Sequence, residues 1–464
     1  MKIKSMLISG VMALVLSLGS VGINASAADI KEIPASEIDS VYNMQVDSNT
    51  WEGWANGPHI YSESGIVMDM DSGAILYAKN IDDQHYPASI TKVMTALVAL
   101  QNYEMDEVVK FTWDDIGFLE YGDAHIAIKE DEEVLMEDCM YGMLLASANE
   151  VSHAIGAHME GGYEAFLAEM NRVSAEIGCT NSNWMNTHGL HDPEHYTTVR
   201  DMATIGAEVF QYEKFREITG TYQHIIPETA MTNEVRYVHQ NHKMIRNGHQ
   251  HYYEYCVGGK TGYTDQALTT LVTFATKDDM NLVAVVMRTH GGGNNAYQDT
   301  REMLEYAFNN FTKTPITYDK VQNEHTESLE NGAYVMLPQG VTMDQLTWEF
   351  TEPTQLEDRT GEIVFTYGEN TVGEAEVTIT EERYNEIHGI VDEPEAEDIP
   401  EQKEEPKKKG MSIILKIFFG IIIILLIFVA GCMAFIVYRR KQIEKKRRLR
   451  RQRIREKYRN FDDL

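Results

Sequence analysis

"HYPASITKVMTALVALQN", residues 85–102, decides how the rest of the chain is read. Pro87 cannot extend a preceding helix. From Ser89 onward, Ile90, Val93, Met94, Ala96, Leu97, Val98 and Leu100 surround a helix on nearly all sides, so the helix belongs inside a core. Its first turn nevertheless carries Ser89 and, three residues on along the same face, Lys92. A buried lysine is desolvated, which favours the neutral amine and lowers its pKa. Such an amine, one turn from a hydroxyl, accepts the hydroxyl's proton, while the helix start offers N–H groups to a developing oxyanion. The pair is suited to making a nucleophile. Ser-x-x-Lys alone is common, so the reading needs partners.

Two further stretches supply them. "LLASANEVSH" places Ser147 and Asn149 in an Ala-rich helical context, where a helix junction with a capping serine is the simpler explanation. "VGGKTGYTD" places Lys260-Thr261-Gly262 on a strand, with Gly258 and Gly259 before and Tyr263 after. Glycines weaken a strand unless another backbone must come close. A peptide adding itself as an extra strand is such a backbone, and Lys260 with Thr261 suits its carboxylate. A tight bend would also explain the glycines.

Ser-x-x-Lys, Ser-x-Asn 58 residues on and Lys-Thr-Gly 113 residues further form the signature set of penicillin-binding proteins and serine β-lactamases. The chain resembles the low-molecular-mass penicillin-binding proteins, serine-type D-alanyl-D-alanine carboxypeptidases, from about Gly65 to Phe311. "YPASITKVMTAL", "LLASANEVSHAI", "NTHGLHDPEHYTTVRDMA" and "GGKTGYTD" carry the likeness. The resemblance implies that Ser89 attacks the carbonyl between the two terminal D-alanines of a peptidoglycan stem peptide, with Lys92 as base. It implies that Ser147 relays a proton to the leaving residue and that Asn149 orients peptide and Lys92. Lys260 and Thr261 would bind the terminal carboxylate on a strand continued by Gly262 and Tyr263, and the N–H groups of Ser89 and Tyr263 would form the oxyanion hole. β-Lactams would acylate Ser89, and no metal or organic cofactor is required.

Departures from the family pattern matter. A class A β-lactamase adds a loop glutamate that drives deacylation. Residues 181–198 hold only Glu194 and no Glu-x-x-x-Asn, so β-lactams are expected to stay on Ser89. Family members often read Asn-Pro-x-Gly-Leu where Asn186-Thr187-His188-Gly189-Leu190 stands, which puts the loop's rigidity in question. Gly259 replaces a usual larger apolar residue and is expected to loosen its strand. His239, His242, His249 and His251 lack a recognised zinc spacing and are expected to border the substrate groove. "HGGGNN" reads as a turn, and His153 and His158 as structural or exposed. A β-lactamase, a β-lactam sensor and an inactive cell-wall scaffold are the competing readings. The tail after Tyr438 has 26 residues, little for a sensor's effector.

Around this centre the order of elements is a hairpin at "SGIVMDMDSGAILYAKN", a helical stretch to about Phe210, three strands and a closing helix. It suggests one α+β domain of transpeptidase type, an antiparallel sheet with helices, built from both chain ends. Short alternating segments then give a small all-β domain. The expected boundaries are a signal peptide at 1–27, a polar lead at 28–60, the catalytic domain at 61–313 and the β domain at 314–391. A charged linker at 392–411, a transmembrane helix at 412–438 and a basic tail at 439–464 follow. Lys2, Lys4, the apolar run to Leu18 and Ala25-Ser26-Ala27 mark the signal. The 21 uncharged residues of 417–437, flanked by "YRRKQIEKKRRLRRQRIREKYR", suit a membrane span with a cytoplasmic C-terminus.

The net charge of −32 conceals an asymmetry: 407–464 carries +13 and the remainder −45. An outer part that acidic argues against nucleic acid as partner, whereas the tail fits anionic membrane lipid. Of four cysteines, Cys139, Cys179, Cys256 and Cys432, none forms CxxC; buried free thiols are expected.

Overall fold

"MNLVAVVMRT" alternates across two cores at once, and the architecture follows from it. Val283, Val285 and Met287 join one buried cluster while Leu282, Ala284 and Val286 join another. Strand residues alternate faces, so an uninterrupted apolar run means a sheet covered on both sides. The structure, a computed structural model, describes residues 34–351 and 359–389.

In chain order the main elements are α1 (Ala35–Tyr42), β1 (Ser62–Asp69), β2 (Ile75–Lys79), α2 (Thr91–Asn102), α3 (Met136–Leu145) and α4 (Asn149–Ala157). Then come α5 (Tyr163–Glu176), α6 (Val199–Phe210), α7 (Glu213–Gly220), β3 (Cys256–Thr264), β4 (Leu268–Lys277), β5 (Met280–Thr289) and α8 (Gly293–Asn310). The C-terminal part adds β6 (Phe311–Pro315), β7 (Thr326–Leu329), β8 (Tyr334–Pro338), β9 (Thr347–Thr351), β10 (Thr360–Tyr367), β11 (Asn370–Ile379) and α9 (Glu381–His388).

The central sheet runs β2-β1-β5-β4-β3, all antiparallel. β1 pairs with β5 from Ser62↔Thr289 to Asp69↔Leu282, so segments distant in the chain close one sheet, as the order of elements suggests. α8 covers one face; on the other, α2 packs against α3, α4, α5 and α6. Every residue of α2 from Thr91 to Ala99 is buried, Lys92 included. The C-terminal strands form a pair, β6-β8, and a sheet, β7-β11-β10-β9.

The segment read as a polar lead is part of the fold. Val41, Val46, Trp54 and Ile60 are buried. The Trp54 ring lies 5.7 Å from Phe311 and 6.3 Å from Tyr367, at the seam with the β domain. Lys79 ties the segment down: its Nζ, fully buried, donates to the carbonyls of Val41, Ile60 and Ser62 at 2.8–2.9 Å. Tyr334 crosses the same seam, its hydroxyl donating to Asp69 Oδ1 at 2.6 Å. Cys139, Cys179 and Cys256 are buried free thiols. Residues 179–198, which the sequence folds into a mostly helical stretch, hold no helix.

The expected signal peptide, linker, transmembrane helix and tail lie outside the described residues. Among the described residues no helix is long and apolar enough to cross a membrane.

Lys79→Met keeps the packing stem but orphans three buried carbonyls. At about 1 kcal/mol or more for each lost acceptor, urea unfolding should show a loss of about 2–4 kcal/mol.

Candidate active site

The chain enters α2 through a 3₁₀ turn, Ala88–Ile90, with Ala88 at φ 51. Ser89 sits in that turn and Lys92 in the first turn of α2. A cavity of about 400 Å³ opens onto Ser89, Ser147, Thr261 and Gly262, with Asn241, Lys243 and Tyr297 on its far wall. β3 forms one side: a methyl on Gly262 would stand 2.9 Å from the Ser89 nitrogen. Thr270 Oγ1 donates to the Pro87 carbonyl at 2.8 Å, fixing the turn against β4.

Lys92 is the hub. Its Nζ lies 2.8 Å from Asn149 Oδ1, 2.5 Å from the His188 carbonyl and 3.1 Å from Ser89 Oγ. A neutral amine has two N–H donors and one lone pair. Asn149 Oδ1 and the His188 carbonyl can only accept, so they take the two protons and leave the lone pair toward the Ser89 hydroxyl. Burial, reinforced by the charge of Lys260, holds Lys92 well below the usual lysine pKa. Asn149 opens α4, and Ser147, at φ 64, occupies the break between α3 and α4. Its hydroxyl does not cap the helix; it meets Lys260 Nζ at 3.0 Å. Lys260 also donates to the Thr261 carbonyl at 2.8 Å, and burial lowers its pKa to about 7. The structure thus gathers Ser89, Lys92, Ser147, Asn149, Lys260, Thr261 and Gly262 around one cavity. Tyr263 stands at its rim, largely exposed.

The loop that supplies the His188 carbonyl is pinned without the usual proline, contrary to the expected loss of rigidity. Gly189 N donates to Asn186 Oδ1 at 2.6 Å, and Asn186 Nδ2 to the Leu190 carbonyl at 3.1 Å. Thr95 and Ser152 both donate to the Thr187 carbonyl. Gly189, at φ 84, passes so close to the turn that carries Ser89 that a methyl there would fall 1.9 Å from the Ala88 oxygen. Glu194 is exposed and lines no part of the cavity.

The histidines differ from expectation. None of His239, His242, His249 and His251 lines the cavity; Asn241 and Lys243 of the same stretch do. His242 is fully buried, Nε2 2.9 Å from Thr273 Oγ1. A methyl on Gly259 would lie 2.5 Å from the His242 ring and 2.4 Å from the Val272 oxygen. The missing apolar side chain at 259 is thus replaced by an imidazole from the neighbouring loop, and the strand is filled rather than loosened. Burial and then the nearby Lys260 charge lower the His242 pKa to about 3, so it is a neutral packing group. His153 and His158 pair with Asp115 and Glu107 at 2.8 and 3.0 Å. Among the described residues no cluster of three or more His, Cys, Asp or Glu could hold a metal ion.

Against known proteins, the family described as D-alanyl-D-alanine carboxypeptidase matches residues 52–291, just over half of the chain. The chain belongs to that family. It is 29% identical over 259 residues to the D-alanyl-D-alanine carboxypeptidase DacF of Bacillus subtilis, covering 55% of this chain and 64% of that protein. It is 30% identical over 266 residues to DacA of Haemophilus influenzae, covering 55% and 63%. The chain thus spans less than two thirds of either relative. Among solved structures, a D-alanyl-D-alanine carboxypeptidase of Mycobacterium tuberculosis superposes with a TM-score of 0.51 at 26% identity, over 56% of this chain and 95% of that one. Penicillin-binding protein 5 of H. influenzae shares the fold over 70% of this chain and 98% of that one, with a TM-score of 0.56 at 23% identity. The transpeptidase-like α+β fold expected from the sequence is therefore the fold of this carboxypeptidase-family chain.

Gly259→Ala should be overpacked by about 1–3 kcal/mol and lower the melting temperature. Adding His242→Ala should recover only part of the loss, because the Val272 carbonyl still blocks the new methyl. A calorimetric double-mutant cycle measures this coupling.

Proposed function

We propose that the protein is a serine D-Ala-D-Ala carboxypeptidase that trims peptidoglycan stem peptides through an acyl-enzyme on Ser89. The observation that carries the reading is the hydrogen-bond set of Lys92, whose acceptors fill both donors of a neutral amine and leave its lone pair for Ser89. The peptide lies along the outer edge of β3. Ser89 Oγ bonds to the carbonyl carbon of the penultimate D-alanine as its proton passes to Lys92 Nζ. The resulting oxyanion is held by the N–H groups of Ser89 and Tyr263. As the C–N bond breaks, the leaving amine takes the proton of Ser147 Oγ, and the proton that Lys92 took from Ser89 passes on to Ser147, 3.0 Å from the Lys260 ammonium, so that Lys92 is neutral again. Water, deprotonated by Lys92, then attacks the ester and restores Ser89. Lys260 and Thr261 hold the terminal carboxylate, and Asn149 orients the peptide.

The same serine attacks the ring carbonyl of a β-lactam, and the acyl-enzyme persists for want of a loop glutamate acting on water. The reading includes export by the signal at 1–27, anchorage by the apolar run at 417–437 with its basic flank inside, and action on the outer face of the membrane. Its support is the sequence pattern of those segments. The β domain then serves as a spacer between membrane and wall.

A purified outer region, residues 29–391, should release D-alanine from a peptide ending in D-Ala-D-Ala, and Ser89→Ala should lower that rate by about 10⁴-fold or more. Penicillin should add one persistent penicilloyl mass that is absent from Ser89→Ala. Penicillin consumed without an adduct would instead identify a β-lactamase. An unchanged rate in Ser89→Ala would remove Ser89 as nucleophile.

Lys92 also sets a pH dependence. A base is competent when neutral, that is above its pKa, and the Lys92 value is depressed by burial. The rate of penicilloyl formation should therefore rise with pH through that lowered value. It should level off well below 10.5, where a solvated lysine would still be charged. Rapid-quench mass spectrometry from pH 5 to 10 checks this, and Lys92→Arg, always charged, should show no such rise.

A further inference from the structure

A second cavity, of about 410 Å³, opens at the end of the sheet where β3 turns into β4. It shares no lining residue with the cavity at Ser89. Gln266 and Ala267 of the β3–β4 turn line it, together with Tyr86, three residues before Ser89, and Tyr196. His85 and Thr197 exchange backbone hydrogen bonds at 2.8 and 3.0 Å, which join the Tyr86 and Tyr196 walls. Its charged groups are Glu63, near the start of β1, and Arg288, near the end of β5.

Arg288 is turned into this cavity by irregular backbone. Between the pairs Thr269↔Thr289 and Leu271↔Val286, β4 advances by two residues and β5 by three, so β5 bulges. Arg288 lies inside the bulge with φ 53. Bulges beside active sites re-aim side chains, and a left-handed residue other than glycine costs about 1–3 kcal/mol. The guanidinium then uses only part of its donor set. Nε donates to Glu63 Oε1 and Nη1 to the Gln266 carbonyl, both at 2.8 Å. His290 Nε2 donates to the same Glu63 oxygen at 2.7 Å. Against its burial, this bond and the charge of Arg288 hold the Glu63 carboxyl below the usual range, so it stays ionised. Among the described residues, Arg288 Nη2 and Glu63 Oε2 have no hydrogen-bond partner. One ion pair in the cavity wall thus keeps a free cationic donor and a free anionic acceptor.

We propose that this cavity is the subsite for the side chain of the residue that precedes the two D-alanines. Arg288 and Glu63 there select a side chain that ends in a free amino-acid centre, carboxylate on the guanidinium and ammonium on the carboxylate. The inference rests on the carboxypeptidase reading for the direction of the peptide. With the terminal carboxylate at Lys260 and Thr261 and the scissile carbonyl at the Tyr263 N–H, the preceding residues run toward the β3–β4 turn. One residue of extended chain covers about 3.3 Å, so the next side chain meets the wall that Tyr86 and Gln266 share. A bare lysine side chain would satisfy Glu63 alone, and an apolar one neither group.

Three N-acetylated tripeptides ending in D-Ala-D-Ala test this, with 2,6-diaminopimelate, lysine or alanine in first place. The wild-type protein should favour the diaminopimelate peptide over the alanine one by about 10- to 100-fold in kcat/KM, the worth of one or two partly exposed charge-assisted hydrogen bonds. Arg288→Gln should bring the ratio of diaminopimelate to lysine peptide to about one, and Arg288→Lys should keep part of it. Glu63→Gln should abolish the preference for lysine over alanine. Equal rates of the wild type on all three peptides would overturn the subsite. So would variants that slow all three alike, since an ion pair that merely braces the bulge leaves the ratios untouched. Calorimetric binding to Ser89→Ala, with and without Arg288→Gln, reads the subsite without turnover. Release of no D-alanine by the wild type, with tighter binding of the diaminopimelate peptide that Arg288→Gln removes, would sink the carboxypeptidase reading and keep the subsite. Equal affinities for the three peptides would sink the subsite whatever the turnover.

Discussion

An amine buried beside a hydroxyl is the constraint around which this molecule is arranged. Lys92 is fully buried, so its partners come from the protein, and they come from three separate places. Ser89 is in the turn before α2, Asn149 begins α4, and the His188 carbonyl belongs to a loop between α5 and α6. Bringing them within hydrogen-bonding distance forces unusual backbone. Ala88 and Ser147 take left-handed conformations, and Gly189 is squeezed against the Ala88 oxygen. Each left-handed residue other than glycine costs about 1–3 kcal/mol. The dense core around α2 offsets this, which is why the helix is apolar on all sides when a surface helix would need only one apolar face.

The two site lysines show how solvation divides labour between identical side chains. Lys92 and Lys260 are both buried, but Lys92 faces two obligate acceptors while Lys260 faces a hydroxyl and one carbonyl. In the proposed reaction the first is the group that takes a proton and the second the charge beside Ser147.

Much of this was legible in the sequence because chemistry at fixed spacing is local information. Ser89 and Lys92 share a helix face, and the apolar run around them says that the face is buried. The Gly-Gly before Lys260 points to a close approach, and the partner at Gly259 is the His242 ring. What escaped the sequence depends on contacts between distant residues. Val46, Trp54 and Ile60 are too sparse in a polar stretch to look like a core, yet they share one buried cluster with Phe311, and the Trp54 ring meets Phe311 and Tyr367. Lys243 is hidden among histidines that attract more attention, and nothing local marks it as the residue facing the cavity.

The pairing of β1 with β5 has a consequence in time. Ser62 and Thr289 touch across 227 residues of chain, so the first strand of the sheet waits for its neighbour until all of that chain exists. Contacts within the helical insert are local and quick to form, whereas closing so long a loop is slow. A polypeptide delivered N-terminus first therefore carries its serine and lysine in an unfinished sheet until β5 emerges. The order of the strands thus leaves the pocket around Ser89 unbuilt in the nascent chain.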